Sequence, residues 1–313
     1  MSAAMQRVDE VIRERLSSRV ALIDQIAGYI VSAGGKRIRP RLVLLFSAAL
    51  GFDGPERFEL AAIVEFIHTA TLLHDDVVDE SALRRGRATA NATFGNAASV
   101  LVGDFLYSRA FQMMVSVNSL RVLDVLADAT NVIAEGEVLQ LMNMHDPDLA
   151  VDDYLRVIRF KTAKLFEASA RLGAVLANAD AELEESCADF GRSLGTAFQL
   201  VDDLLDYDGD SRELGKNVGD DLREGKPTLP LLVAMERATE AERALMRLAI
   251  EQGEQQQLQQ IVEIVRRTGA LEATRQAAQA EADKARAVLD ALPASAARDA
   301  LLDLCLRAVH RSF

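Results

Sequence analysis

Apolar residues recur at intervals of three and four positions along most of the chain, the spacing expected of amphipathic or buried α-helices. No segment alternates apolar and polar residues between hairpin turn signals, so strands are not predicted. The pattern predicts an all-α fold of the helical-bundle kind. The predicted helices cover 5–31, 38–50, 56–82, 94–115, 119–143, 151–177, 181–207, 228–237, 241–252, 256–289 and 297–310. The connection over 208–230 is long, and its Gly, Lys and Asp content indicates a functional loop.

No change in composition marks a domain boundary, so residues 1–313 are predicted to form a single helical domain. Half of the residues are hydrophobic, enough to bury a large core. The N-terminal residues lack the apolar core of a signal peptide, and the longest nearly apolar run, 42–52, is too short to span a bilayer. A cytoplasmic protein without a transmembrane segment is therefore expected. Cys187 and Cys305 are predicted to be reduced, buried thiols.

The charge balance opposes general binding to nucleic acid or anionic lipid, because 48 acidic residues face 35 basic ones and the net charge is −13. The sequence contains neither GxGxxG nor GxxxxGK[ST], which argues against a Rossmann or P-loop nucleotide site. Any anionic ligand must therefore be bound by local clusters of basic residues.

Three carboxylates stand at the end of the long apolar helix predicted before residue 82. Asp75 and Asp79 are four residues apart, which places them on one helix face, with Asp76 at its edge. Mg²⁺ accepts one or two protein carboxylates together with phosphate oxygens, so a metal-bridged diphosphate suits this position. Arg84 and Arg85 follow and can donate to the remaining phosphate oxygens. A solvated acidic helix end is the alternative for such a motif in isolation.

The same device occurs again in the segment GTAFQLVDDLLDYDGD. Asp202, Asp203 and Asp206 stand at the polar end of another apolar helix, with Gln199 one turn earlier on the same face. Two such helix ends can hold several Mg²⁺ ions around one diphosphate and neutralise the charge that develops as its C–O bond breaks. The repetition favours ionisation of a diphosphate ester over hydrolysis by an activated water.

Further candidates for binding phosphate are spread over several segments. They are Lys36, Arg37, Arg39 and Arg41 in GGKRIRPR, His68 two turns before Asp75, Lys161 and Lys164 in FKTAK, and Lys216 and Lys226 in LGKNVGDDLREGKPTLP. A core histidine is the alternative for His68. The segment KRIRPR could instead be a nucleic-acid patch, but an apolar helix follows it directly in an acidic chain.

Taken in order, these segments resemble the trans-isoprenyl diphosphate synthases over nearly the whole chain. The resemblance lies in GGKRIRP, EFIHTATLLHDDVVDES, RRGRATAN, FGNAASVLVGD, EGEVLQL, KTAKLFEASA, GTAFQLVDDLLDYD and LGKNVGDDLREGKPTLPLL. It implies a helical bundle around a deep central cavity, a homodimer, and head-to-tail addition of isopentenyl diphosphate to an allylic diphosphate, with farnesyl diphosphate as the expected primer. It also implies loss of diphosphate, attack by the isopentenyl double bond and proton removal, with no protein nucleophile.

The resemblance also assigns roles to the matching residues. It implies Mg²⁺ bound at Asp75, Asp79 and Asp202, with Asp76, Asp203 and Asp206 completing the two motifs. It places Arg84, Lys161, Thr162, Gln199, Lys216 and Lys226 on the allylic diphosphate. It places Lys36, Arg39, His68 and Arg85 on the diphosphate of isopentenyl diphosphate.

Product length depends on the apolar depth behind the first aspartates. Ala70 and Thr71 are small where shorter-product relatives often carry aromatic residues, so a tunnel can continue past them. Met113 and Met114 are candidates for its deeper wall, although methionine at helical spacing also suits an ordinary core. Small residues that permit helix packing are the alternative for the first pair. The expected product is octaprenyl diphosphate, passed on to membrane enzymes for a quinone side chain, with geranylgeranyl or solanesyl diphosphate as alternatives.

Three other functions are compatible with parts of the pattern. His74 beside Asp75 could belong to an HD-type phosphohydrolase, although the chain has only four histidines. A class I terpene cyclase would share the first aspartate motif but not DDLLD at the second. A non-catalytic prenyltransferase subunit would be expected to lack some of the aspartates or lysines, and all are present.

Overall fold

Helices dominate the computed structural model, which describes residues 1–32, 34–84, 86–208, 219–253 and 256–309. In chain order the α-helices are α1 (Ser2–Leu16), α2 (Ala21–Ser32), α3 (Ile38–Ala49), α4 (Glu56–Val78), α5 (Ala90–Phe94), α6 (Asn96–Ser116), α7 (Leu120–Asn143), α8 (Val151–Ile158), α9 (Lys164–Leu176), α10 (Ala181–Asp208), α11 (Asp220–Arg223), α12 (Leu229–Arg237), α13 (Glu240–Gln252), α14 (Leu258–Arg267), α15 (Ala270–Val288) and α16 (Ala296–Val309). A π-helix (Arg159–Ala163) joins α8 to α9, and a 3₁₀ turn (Leu289–Ala291) follows α15. The predicted all-α class is confirmed.

The first predicted helix, 5–31, is wrong as a single element, because the chain leaves the helix between α1 and α2. The backbone N–H of Ser18 donates to Asp24 Oδ1 at 2.9 Å, and the Ser18 hydroxyl accepts from the N–H of Val20 at 3.1 Å. Short polar side chains that bond nearby backbone groups compete with helical hydrogen bonds. The apolar periodicity continues across this break, which is why the pattern did not predict it.

The predicted helix 256–289 is divided at a glycine with positive φ, whereas the predicted helix 94–115 forms as α6 and a glycine with positive φ separates it from the short α5 before it. Gly95 has φ 87° and separates α5 from α6, whereas Gly269 has φ 70° and separates α14 from α15. A residue without a Cβ atom adopts such a conformation at little steric cost. The predicted helix 56–82 ends earlier, at Val78, and leads to a hairpin that was not predicted. In that hairpin β1 (Leu83–Arg84) pairs antiparallel with β2 (Arg87–Ala88).

The described chain divides into two compact units. Unit 1 comprises Met1–Thr130, Leu165–Gly191 and Val288–Leu302, and unit 2 comprises Asn131–Lys164, Arg192–Ala287 and Asp303–Phe313. The single domain expected from the sequence stays a prediction.

Helix α4 forms the centre of unit 1 and packs against α1, α3 and α6. Its buried residues cover most of its circumference, which explains the nearly continuous apolar sequence before the aspartates. Gly173 lets α9 approach α3 closely, since a Cβ atom there would lie 2.5 Å from Cβ of Phe46. This packing fixes the helix that carries the first aspartate cluster.

Unit 2 has its own core, in which α12 packs against α8, α13 and α14. The polar end of α10 enters this core, since Leu204 and Tyr207 are buried there beside the second aspartate cluster. Within the described ranges, none of the helices combines the length and the apolar composition needed to cross a membrane.

Candidate active site

The first aspartate cluster occupies the last turn of α4. The backbone N–H of Asp79 donates to the carbonyl oxygen of Asp75 at 2.8 Å, so both residues stay on one helix face. Asp75 and Asp79 are partly exposed, whereas Asp76 is 1% exposed. A helix C-terminus carries partial negative charge, so three carboxylates there repel it and one another. Cations are therefore required at this end of the helix.

The protein supplies one of these cations itself. Arg84 donates to a single oxygen of Asp76, from Nε at 2.8 Å and from Nη2 at 2.7 Å. Burial raises the pKa of Asp76, and the bond from Arg84 offsets this only in part. Burial would lower the pKa of Arg84, but the hydrogen bond to Asp76 and the attraction of the cluster outweigh it, so the pKa is raised. Arg84 is thus held as a cation beside the cluster.

The unpredicted hairpin directs Arg84 towards Asp76. Gly86 has φ 72° between the two short strands, and Leu83 lies opposite Ala88. Asn91 Nδ2 donates to the carbonyl oxygen of Asp76 at 3.0 Å and so ties the hairpin's far end to α4. Sequence analysis missed Asn91, although a glycine among polar residues in RRGRATAN was a turn signal. Arg85 lies outside the described residues.

The two histidines of α4 have different surroundings. His68 is partly exposed, and its carbonyl oxygen accepts from Thr71 Oγ1 at 2.8 Å. His74 Nε2 lies 3.4 Å from Asp104 Oδ1 and 3.2 Å from the carbonyl oxygen of Val100, both on α6. The Nε2 side of His74 is therefore directed towards α6. This geometry gives no support to a phosphohydrolase.

The basic residues at the start of α3 belong to unit 1 as well. Lys36 is exposed, whereas Arg39 is partly buried with its guanidinium 4.5 Å from the ring centroid of Phe166. Stacking on an aromatic face orients a guanidinium group without neutralising its charge. Arg39 is thus held as an oriented cation.

The second aspartate cluster ends α10 in unit 2 and is built differently. Asp202 is partly buried, and Asp203 is 3% exposed. The Tyr154 hydroxyl donates to Asp203 Oδ2 at 2.5 Å, and Gln199 Nε2 donates to Asp203 Oδ1 at 2.7 Å. Burial, with Asp221 adding to it, raises the pKa of Asp203 to about 8, despite these two bonds. Both donors are neutral, so the protein places no cation on this buried carboxyl group through them.

A hydrogen-bond chain connects this cluster to the KTAK segment. Thr162 Oγ1 donates to Gln199 Oε1 at 2.9 Å, so Thr162, Gln199 and Asp203 form one sequence of bonds. Thr162 and Lys161 lie in the π-helix, a form often found at functional sites. Lys161 Nζ lies 2.6 Å from Glu137 Oε2, a partner that sequence analysis did not predict.

The chain returns to Asp206 after the long loop. The Asp206 carbonyl oxygen accepts from Gly219 N–H at 3.0 Å, and its Oδ2 accepts from Asp221 N–H at 3.3 Å. Lys226 donates from its backbone to the Asp221 carbonyl at 2.8 Å, and its Nζ lies 2.7 Å from Glu224. The contact between Asp221 and Asp206 was not predicted, although the acidic pair in GDDLR was a signal for it. Lys216 lies outside the described residues.

A family model described as Polyprenyl synthetase matches residues 20–265. The octaprenyl diphosphate synthase of Escherichia coli (strain K12) is 58% identical to this chain over 308 residues, which are 98% of this chain and 95% of the relative. The chain belongs to the polyprenyl synthetase family. This membership confirms the resemblance and the predicted prenyltransferase class.

Other members of the polyprenyl synthetase family align over nearly their whole length. The all-trans-nonaprenyl-diphosphate synthase (geranyl-diphosphate specific) of Rhodobacter capsulatus is 47% identical over 97% of this chain and 94% of its own. The crystal structure of a polyprenyl synthase from Caulobacter crescentus CB15, complexed with calcium and isoprenyl diphosphate, has a TM-score of 0.96 and 49% identity. It covers 99% of this chain and 95% of its own.

The donor set of this polyprenyl synthetase suits Mg²⁺ bound together with a substrate. Among the residues that the structure describes, no three His, Cys, Asp or Glu side chains form a metal-binding group. Mg²⁺ commonly takes one or two carboxylates and completes its octahedron with water and phosphate oxygens. The partly exposed Asp75, Asp79 and Asp202 carry carboxylate oxygens of the kind that Mg²⁺ binds.

The predicted chain-length residues all lie in unit 1. Ala70, Met113 and Met114 are buried, and Thr71 is partly buried with its hydroxyl bonded to the backbone. That bond leaves the Thr71 methyl group as its apolar surface. Their role in product length stays a prediction.

Proposed function

We propose that this chain is an all-trans-octaprenyl diphosphate synthase that adds isopentenyl diphosphate repeatedly to an allylic primer such as farnesyl diphosphate. The observation that carries the proposal is the pair of aspartate clusters, each with a buried, hydrogen-bonded middle carboxyl group, Asp76 or Asp203, and a partly exposed neighbour. The octaprenyl product rests on similarity to the Escherichia coli enzyme over nearly the full length of both chains. The family also includes nonaprenyl enzymes, so product length must be measured.

Asp75, Asp79 and Asp202 would hold Mg²⁺ on the allylic diphosphate, which supplies positive charge to the leaving group. Arg84 and Lys161, with Thr162, would bind phosphate oxygens and orient the C–O bond for cleavage. The departing diphosphate takes the electron pair of that bond. The isopentenyl double bond then forms the new C–C bond, and a proton passes to the departing diphosphate. Lys36, Arg39, His68 and Arg85 would hold the isopentenyl diphosphate, and Lys216 and Lys226 the allylic one.

Exposed apolar side chains support a homodimer. On α6, Leu101 is 67% exposed and Val115 is 68% exposed, and both lie on one helical face with Phe111. On α7, Leu141 and Met142 are 59% and 72% exposed. Such faces are costly in water and typical of surfaces that a second chain covers. Replacing Leu101 and Val115 with glutamate should give a monomer by light scattering, and an unchanged dimer would contradict this assignment of the surface.

Incubation with farnesyl diphosphate, labelled isopentenyl diphosphate and Mg²⁺ tests the activity. Butanol-extractable label that runs as octaprenol after dephosphorylation is the expected result, and chelation of Mg²⁺ should abolish it. Release of phosphate or diphosphate without elongation would favour hydrolysis or cyclisation. No reaction by the folded protein would favour a non-catalytic subunit. Cell fractionation would test the cytoplasmic location and the transfer of product to membrane enzymes for a quinone side chain.

Product length provides a second test. Ala70→Tyr should shorten the product, because a ring would obstruct the apolar path behind Asp75. Ala61→Tyr is the matched control, since Ala61 is equally buried on the opposite side of α4. Thin-layer analysis should show shorter prenols only for Ala70→Tyr, with Tm measured for both. The same lengths for wild type and Ala70→Tyr would contradict this account.

A further inference from the structure

The residue that begins α3 has an unusual backbone conformation for its type. Arg37 is the N-cap of α3 and has φ 49° and ψ 39°, in the left-handed region. Arginine has no short polar group to stabilise this conformation, so it costs conformational free energy. Glycines precede it in GGKRIRP, but the chain does not place one here. The position therefore requires something that the arginine side chain supplies.

The Arg37 side chain forms an ion pair with Glu65 of α4. The two side chains are only 14% and 11% exposed. Glu65 stands between the buried Val64 and Phe66 and lines a small, mainly apolar cavity with Ile12, Leu16 and Leu106. Such a pair seldom stabilises a protein more than apolar residues of the same size would, because both charges lose their hydration. A strained backbone and a buried ion pair together indicate that the contact fixes a position.

The position that it fixes is that of the basic segment. Lys36 precedes Arg37, and Arg39 follows it by two residues. Glu65 lies three residues before His68, so the two side chains are neighbours on α4. One ion pair thus links the segment that carries Lys36 and Arg39 to the helix that carries His68.

We infer that the Arg37–Glu65 ion pair is a positioning device that holds Lys36 and Arg39 for the diphosphate of isopentenyl diphosphate. The inference rests on the proposed function. In this arrangement Arg37 has a positioning role and no ligand role, because its Nη1 is directed to Glu65 on α4. The carboxylate of Glu65 would repel a diphosphate, so its removal can weaken substrate binding only through the geometry that it maintains.

The test compares Arg37→Gln, Glu65→Gln and the double variant in steady-state condensation assays. Each single variant should raise KM for isopentenyl diphosphate about tenfold, because small displacements of positioned groups are costly. KM for farnesyl diphosphate and kcat should stay at the wild-type values. The double variant should be no worse than either single one, since both remove the same contact. Arg19→Gln, at an exposed arginine between α1 and α2, is the control and should behave as wild type.

The two glutamine variants separate positioning from direct binding. A raised KM in Arg37→Gln together with a wild-type KM in Glu65→Gln would identify Arg37 as a ligand and overturn the inference. Equal changes in both KM values and kcat, with a lower Tm, would indicate a merely structural pair and also overturn it. If Glu65→Gln does not fold, Glu65→Asp retains the charge but shifts the contact, and it should raise only KM for isopentenyl diphosphate. An inactive wild-type protein would contradict the proposed function, a separate result.

Discussion

The two aspartate clusters share a sequence pattern but differ in how the protein compensates the buried middle carboxyl group. Asp76 accepts two bonds from the guanidinium of Arg84. Asp203 accepts one bond from a phenol and one from an amide, and its pKa is raised to about 8 by burial. The first cluster therefore carries its own cation, whereas the two bonds to Asp203 come from neutral groups.

This difference indicates that the aspartates of one motif have different roles, one structural and one in metal binding. The buried middle aspartate fixes the end of its helix, and the partly exposed aspartate beside it is the proposed metal ligand. The first cluster should keep its geometry without Mg²⁺, because its ion pair is internal. The second should depend more on added cation, since the two donors described for its buried carboxyl group are neutral and burial disfavours its ionised form.

The largest expected effect is on catalysis, at the partly exposed aspartates. Asp75→Asn and Asp202→Asn should each lower kcat by about 10² to 10³-fold, because each removes charge that stabilises the departing diphosphate. Asp208→Asn is the matched control, since Asp208 is exposed at the end of the same helix as Asp202. Initial rates at saturating substrates and Mg²⁺ measure the effect. A loss in only one of the two clusters would show that the other binds no catalytic metal.

Substitutions of the buried aspartates should affect the free energy of unfolding, and by different amounts in the two clusters. Asp76→Asn leaves the Arg84 guanidinium without its carboxylate and should lower the free energy of unfolding by about 2–3 kcal/mol. Asp203→Asn retains a hydrogen-bonding group of the same shape, and the raised pKa of Asp203 already favours the uncharged acid, so the change in the free energy of unfolding should stay within about 1 kcal/mol. Urea unfolding without Mg²⁺ gives both values. Equal losses would contradict the proposed difference between the clusters.

Local spacing and order of motifs predicted the helices, the two clusters and the family, because these depend on residues close in sequence. The Arg84–Asp76 bond also lies within reach of such reasoning, since eight residues separate the partners. Tyr154 could not be paired with Asp203 in this way, because 49 residues separate them and any buried tyrosine fits an apolar helix equally well. The left-handed backbone of Arg37 had no signal in its residue type.

The π-helix was missed for a related reason. Its segment RFKTA has the apolar spacing of the α-helices on either side, so periodicity alone predicted one helix over 151–177. The π-helix packs closely against α7, where Gly136 allows the backbone of Lys161 to approach. A Cβ atom at position 136 would lie 2.6 Å from the backbone nitrogen of Lys161.

The close contact between Gly136 and Lys161 leads to a prediction that concerns only the second cluster. Gly136→Ala should displace the π-helix and lower the free energy of unfolding by about 1–3 kcal/mol, as overpacking usually does. Activity should fall as well, since Lys161 and Thr162 move. Gly28→Ala is the matched control, because a Cβ atom there would meet nothing within 4 Å. Chemical unfolding and condensation rates check both variants, and equal behaviour would show that close packing at Gly136 is unimportant.

The smallest expected effect tests whether the second cluster depends on neutral donors. Tyr154→Phe removes one bond from Asp203 and should lower the free energy of unfolding by about 1 kcal/mol. The Mg²⁺ concentration for half-maximal activity should rise about tenfold, because groups that orient a metal-binding motif have effects of this size. Tyr207→Phe removes another buried hydroxyl from unit 2, one that bonds to no aspartate side chain in the described part of the chain, so its Mg²⁺ dependence should match wild type. An unchanged Mg²⁺ dependence in Tyr154→Phe would mean that Gln199 alone suffices to orient Asp203. The two clusters would then differ only in the charge of the donor, which is cationic at Asp76 and neutral at Asp203.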